Sequence, residues 1–201
     1  MNIFLVSDDT YFLLGMQNLI ANLPSVGAVT FLNASKWDVK QNQLNPALGD
    51  IVLMNVSNIH LRRRLIHLPV MSACRLVIMV RLNGMKPFFY KTMFPQIIAW
   101  NTQPQELIGL LSRVVRYTFN RHQIPGQTKE IFDLLVNEHS LADISGRMQM
   151  SEKYIYAVKR RLLNQFGLGK CNSSVASVFC HEIFCMDKYV GELSPAMRAR
   201  L

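Results

Sequence analysis

Apolar positions along the chain follow two rhythms, and the change between them divides it. Up to about Asn120, short unbroken apolar runs alternate with stretches of helical spacing. Residues 3–6 form a run of the kind that fills a strand buried on both faces. Phe12, Leu13, Met16, Leu19, Ile20 and Leu23 then recur along one side of a helix that Pro24 closes. Residues 26–32, 51–56, 76–80 and 96–100 are predicted as four further strands. Leu107, Leu110, Leu111, Val114 and Val115 sit at i, i+3, i+4, i+7 and i+8, so 104–119 is predicted as a helix with Pro104 in its first turn. Strands alternating with helices imply an α/β domain over 1–119, built on a five-stranded, mainly parallel sheet.

Beyond Asn120 the rhythm is helical throughout. Asn120-Arg121-His122-Gln123 with Pro125-Gly126 is polar and turn-forming, and 120–127 reads as a linker. A helix is predicted over 128–136 with Ile131, Leu134 and Leu135 inward, and another over 173–186 carried by Val175, Val178, Phe179, Ile183 and Phe184. These bound an all-α domain over 128–190, followed by a frayed tail over 191–201.

The most informative stretch lies between those helices. Ser140 is a good N-cap, and Leu141, Ile144 and Met148 follow at helical spacing. Ser151 with Glu152 behind it starts a second helix, placing acid at the positive end of the dipole, and Gly167 ends it as a C′ glycine. On that helix Ile155, Val158, Leu162 and Phe166 form the inward stripe, which turns Lys153, Ala157, Arg160 and Asn164 outward with Tyr156 and Arg161 at the margins. Two helices joined by a tight turn, the second basic, form a helix-turn-helix. Residues 147–170 carry six basic side chains against one acid, a local excess of +5. Such a helix suits the DNA major groove, where outer side chains reach base edges and flanking cations meet phosphates. Alone, a basic amphipathic helix is more often a solvated face.

Charge and composition point the same way. The 201 residues carry a net charge of +9 and are 50% apolar, enough for a sizeable core and a polyanionic partner. No run of 18 apolar residues occurs and no signal peptide precedes Asp8, so the expected partner is double-stranded DNA, with no membrane association and a cytoplasmic location. Cys74, Cys171, Cys180 and Cys185 include no CxxC pair and read as reduced core residues. Cys180, His181 and Cys185 lie close in sequence, but inside an apolar helix packing outweighs metal ligation, so no metal and no cofactor is expected. The five histidines form no arrangement with Ser, Cys and carboxylate that spacing singles out, and no enzymatic activity is expected.

From Ile124 to His181 the chain resembles the DNA-binding domain of the LuxR/FixJ (NarL-type) transcription regulators. The resemblance rests on Glu130-Ile131-Phe132-Asp133-Leu134-Leu135, Ser140-Leu141-Ala142-Asp143-Ile144-Ser145, residues 150–158 (Met-Ser-Glu-Lys-Tyr-Ile-Tyr-Ala-Val) and Phe166-Gly167-Leu168. The apolar skeleton and spacings agree with the family pattern, while the family's Thr, Lys and His on the second helix fall on Tyr154, Tyr156 and Val158, and its glycine before the helix pair falls on Glu138. The resemblance implies that Tyr156, Ala157 and Arg160 stand where the family touches DNA; with the helical wheel, the expected contact set is Lys153, Tyr156, Ala157, Arg160, Arg161 and Asn164. In that family the last helix packs on its domain and often mediates dimerisation, and a core role explains its apolar content equally well.

The first domain resembles a response-regulator receiver, a flavodoxin-like fold. Asp8 and Asp9 follow the first strand, and Asp50-Ile51-Val52-Leu53-Met54-Asn55 leads into and along the third. In that family the acidic pair holds Mg²⁺ and an aspartate ending the third strand accepts phosphate. Asn55 stands at that acceptor position, and an amide offers no anionic oxygen to attack phosphorus. The family's Thr/Ser after the fourth strand is replaced by Val80 or Arg81, and its lysine after the fifth by Trp100 or Asn101, which leaves no cationic side chain expected at the fifth-strand end. The domain therefore resembles a degenerate receiver, with Asp8 and Asp9 more readily explained as turn or cap residues than as a magnesium site.

Arg62-Arg63-Arg64 reads as a solvated basic face in preference to a docking patch for an acidic partner or DNA. Phe88-Phe89-Tyr90 forms either core or an exposed interaction surface. The leading expectation is a sequence-specific DNA-binding transcription regulator acting as a dimer without phosphorylation. The alternative is a protein-interaction module, an anti-regulator or heterodimer partner of another regulator, with little DNA affinity of its own.

Overall fold

The computed structural model describes residues 1–20, 23, 27–36, 44–85 and 93–186. Strands β1 (Ile3–Ser7), β2 (Val29–Asn33), β3 (Ile51–Asn55), β4 (Arg75–Val80) and β6 (Gln96–Ala99) form one parallel sheet in the order β2-β1-β3-β4-β6. With β6 as fifth strand, this is the doubly wound 2-1-3-4-5 order of flavodoxin-like domains. The second strand begins at Val29, three residues later than the apolar run suggests. Residues 88–90 and the tail lie outside the described residues.

Side-chain alternation along the strands builds two cores. Ile3, Leu5, Ile51, Leu53, Val77, Met79 and Ile98 meet helices α1 (Thr10–Ile20) and α3 (Pro104–Arg116) on one face. Val6, Val52, Met54, Leu76, Ile78 and Ile97 point to the other, where α2 (Ile59–Ile66) supplies Leu65 and Ile66. Both faces are covered, so the strands read as unbroken apolar runs.

The second core does not stop at the domain boundary. It continues into the helical domain, where α4 (Gly126–Val136), α5 (Leu141–Met148), α6 (Glu152–Gln165) and α7 (Ser173–Cys185) bury Ile131, Phe132, Ile144, Ile155, Leu162, Phe166, Phe179 and Phe184. Phe132 and Phe184 meet edge to face at 5.2 Å, joining α4 to α7.

The stretch expected as a plain linker is tied down instead. Asn120–Arg121 forms β7, which pairs in parallel with the two-residue β5 (Met93–Phe94). The His122 N–H donates to the Phe94 carbonyl at 3.1 Å, and the buried His122 ring lies 4.7 Å from that of Phe166, the residue after α6. Polar turn-formers conceal this because the attachment runs mostly through backbone groups, which every residue carries. The helix after it also starts two residues before the expected 128.

The arginine run behaves differently from the solvated face expected of it. Arg62 is half-buried with its guanidinium 5.1 Å from the Phe179 ring centroid, and Arg63 Nε lies 3.4 Å from Glu182 Oε1. Only Arg64 faces solvent without such a contact. Of the cysteines, Cys74 and Cys180 are buried and their thiols are pushed up by burial, Cys74 to about 12, whereas Cys171 and Cys185 are half-buried, Cys171 packing against the edge of the core. No helix among the described residues is long and apolar enough to cross a membrane.

Candidate nucleic-acid interface

Two serines set the helix pair. Ser140 Oγ accepts from the Asp143 N–H at 3.1 Å while the Asp143 carboxylate accepts from the Ser140 N–H at 3.1 Å, a reciprocal box that closes the first turn of α5. Hydrogen bonds from the Ser140 hydroxyl, then from its N–H, hold the Asp143 carboxyl below its ordinary value. The turn passes through Gln149 in the left-handed region, φ 53°, and Ser145 Oγ donates to the Met150 carbonyl across it. Ser151 Oγ then accepts from the Tyr154 N–H at 3.2 Å to start α6, and Gly167, φ 75°, ends it.

With its axis fixed, α6 divides cleanly. Ile155, Leu162, Leu163 and Phe166 are buried. Lys153, Tyr156, Ala157, Arg160, Arg161 and Asn164 are all exposed with both domains in place. Val158 is half-buried, and burial holds the half-buried Lys159 below the ordinary lysine value, so these two flank the inward face. Tyr154, 48% exposed beside Tyr156 at 54%, joins an outward set whose one expected tyrosine was Tyr156. The register of α6 beyond its first turn supplies that signal, since 154 and 157 share a side. Asn164 leans over the following loop: a Cβ at Gly169 would meet its Oδ1 at 1.7 Å, which explains a side-chain-free residue there.

Glu138, where the resembled family has glycine, sits at φ 62°. A left-handed residue with a side chain carries roughly 1–2 kcal/mol of steric cost, against which glycine loses roughly 0.5–1 kcal/mol of chain entropy. Glu138→Gly is therefore expected to raise stability by about 0.5–1 kcal/mol, a melting point higher by about 1–4 °C. A thermal melt that stays level or falls would contradict this.

In the first domain, the ends of the sheet strands place the acids in structural work. Asp9 Oδ1 accepts from the Tyr11 and Phe12 N–H groups at 2.9 and 3.2 Å, holding the first turn of α1. Asp8 accepts from the Ser57 N–H at 3.0 and 2.9 Å and from the Asn58 N–H at 2.9 Å, bridging the end of β1 to the loop after β3. That is the switch point where α/β sheets of this order open a crevice, and here a carboxylate spans it. The Asn55 carbonyl accepts from Ser7 Oγ at 2.7 Å. One expectation is corrected: a cation does stand at the fifth-strand end. Register pairs Val80 with Ala99, so the next residues meet, and the Arg81 guanidinium lies 4.1 Å from the Trp100 ring centroid.

No protein-family model and no curated protein matches the chain. Among solved structures it is similar to the response regulator RcsB of Salmonella typhimurium, at 13% identity over 90% of this chain and 97% of that one with a TM-score of 0.40. It is similar also to RcsB in a structure of two dimers bound to two parallel DNAs, at 14% identity over 96% and 99% with a TM-score of 0.42. A third is the response regulator ChrA of a heme-sensing two-component system, at 11% identity over 93% and 96% with a TM-score of 0.34.

Proposed function

We infer that the protein is a non-enzymatic, cytoplasmic, sequence-specific DNA-binding transcription regulator of the LuxR type that acts as a dimer. The observation that carries this reading is α6: a doubly capped helix-turn-helix whose second helix buries its apolar stripe and leaves Lys153, Tyr156, Ala157, Arg160 and Arg161 facing outward together. In this reading α6 enters the major groove, Arg160 reaches base edges, Lys153 and Arg161 meet phosphates, Tyr154 and Tyr156 donate to phosphates or pack near a base, and Ala157 leaves room for a thymine methyl. Anisotropy of a labelled duplex titrated at two salt concentrations tests it, and the affinity is expected to fall steeply with salt.

The first domain, in the same reading, works without phosphate. Asn55 supplies no nucleophile, and the Asp8 carboxylate accepts from two backbone amides, those of Ser57 and Asn58. Treatment with a small acyl phosphate is expected to leave the intact mass unchanged. A phosphoryl-sized adduct on the chain would revive a phosphorylation switch.

A second reading, a heterodimer partner with little DNA affinity of its own, is favoured by the apolar side chains Val175 and Val178 left exposed on α7 and by Tyr11 and Leu14 on α1. Co-purification with another regulator, joined to the absence of any duplex binding by the isolated chain, separates it from the first.

A further inference from the structure

The α2–α7 contact does more than fill space. Glu182 comes from the helical domain, its side chain is 3% exposed, and the cations that meet it come from the other domain. Arg63 Nε approaches Glu182 Oε1 at 3.4 Å, while the Arg62 guanidinium packs on Phe179, one helical turn before Glu182. Arg62 Nε and Glu182 Oε2 are both buried without a hydrogen-bond partner among the described residues. Burial pushes the Glu182 carboxyl up against the opposing pull of Arg62, Arg63 and His181. Burial likewise lowers Arg62, against the pull of Glu182 and then of Asp8.

Asp8 belongs to the same assembly. Its carboxylate holds the Ser57 and Asn58 amides, and Asn58 Oδ1 caps α2 by accepting from the Leu61 N–H at 3.1 Å. The acid that ends β1 thereby fixes the start of the helix whose next turn grips α7. A second contact lies alongside: at Gly84, φ 82°, an added Cβ would stand 2.4 Å from the Lys170 carbonyl oxygen, so the loop after β4 touches the loop before α7 backbone to backbone. The β5–β7 pairing ties the connecting stretch to the first domain. None of these contacts covers the outer face of α6.

We propose that α2 and α7 form a permanent inter-domain joint, centred on Glu182 between Arg62 and Arg63 and braced by Asp8, which holds the helix-turn-helix in one orientation with α6 outward. The joint takes the place of a phosphate-driven rearrangement: an acid that no longer needs a metal secures α2, and α2 secures the second domain. Its importance for regulation rests on the DNA-binding reading of α6; its existence does not. Besides His181 on its own helix, the charges that meet the buried Glu182 carboxylate come from across the domain boundary, and removing either arginine takes part of that compensation away.

The test uses the full chain and reads domain coupling without DNA. Trypsin cleavage after Arg121, in β7, reports opening between the domains. Cleavage of the unmodified chain is expected to be slow, and Glu182→Gln and Arg63→Ala are each expected to accelerate it about tenfold or more, with Asp8→Asn acting in the same direction. The double variant R63A/E182Q is expected to be no faster than the faster single variant, because one interaction is removed once. Small-angle scattering on the same samples is expected to show a larger radius of gyration as cleavage rises. Equal cleavage rates in all variants, or fully additive effects of R63A and E182Q, would overturn the joint. If E182Q fails to fold, R63A and D8N carry the test, since Arg63 is an exposed residue and Asp8 is half-buried. Loss of the joint with duplex affinity absent throughout would sink the DNA-binding reading alone.

Discussion

Phe132→Ala is expected to cost about 3–5 kcal/mol of stability, the range for removing a buried aromatic ring and leaving a cavity. The ring is fully buried, packs edge to face on Phe184, and sits where α4 meets α7. Because that core continues to the far face of the sheet, the loss is expected to lower the unfolding midpoint of the whole chain. Against a typical total of about 5–15 kcal/mol the variant is expected to melt roughly 6–20 °C lower, or to be recovered only in aggregates. Urea unfolding followed by circular dichroism measures it. A loss under about 1 kcal/mol would mean that α4 and α7 do not pack as described.

The paired variant Arg160→Ala, Arg161→Ala is expected to reduce duplex affinity by roughly 10- to 1,000-fold while leaving the melting curve in place. One arginine reading a base edge accounts for about 1–3 kcal/mol, and one meeting a phosphate lowers the salt slope by about 1. Both side chains are exposed, so removing them leaves no cavity and no orphaned partner in the core. Anisotropy titration of a labelled duplex at several salt concentrations gives affinity and slope together. Unchanged affinity and slope would move the binding surface away from α6.

Much of this was legible in the sequence, for a physical reason. A strand covered on both faces must be apolar throughout, so 3–6, 51–56 and 76–80 announce themselves, and a helix over a core must repeat at 3.6, so α3, α6 and α7 do as well, although Val175 and Val178 of the stripe expected on α7 face solvent and Val158 on α6 is half-buried. Caps are equally local: Ser140 and Ser151 bond to amides three residues away, as their spacing from the apolar stripes requires. The exposed positions Lys153, Tyr156, Ala157, Arg160, Arg161 and Asn164 on α6 followed from the same wheel, which left out the exposed Tyr154.

What the sequence hid was non-local. The β5–β7 pairing joins two-residue strands through backbone groups and leaves no pattern in side chains. Arg62 and Arg63 look like any exposed basic pair until the fold sets α7 against them. Arg81 and Trp100 are 19 positions apart and meet only because β4 and β6 are neighbours in register. Positive φ at Glu138 and Gln149 is invisible for the opposite reason: neither is a residue that advertises a left-handed turn.

The measurement that bears most directly on the account is selection of the purified chain against a pool of random-sequence duplexes at two salt concentrations. Recovery of one motif repeated in two half-sites, its enrichment abolished by the Arg160→Ala, Arg161→Ala pair, is the predicted result. Salt-sensitive retention without any motif, equal for the variant, would contradict sequence-specific regulation through α6 and leave the basic charge as a non-specific tether.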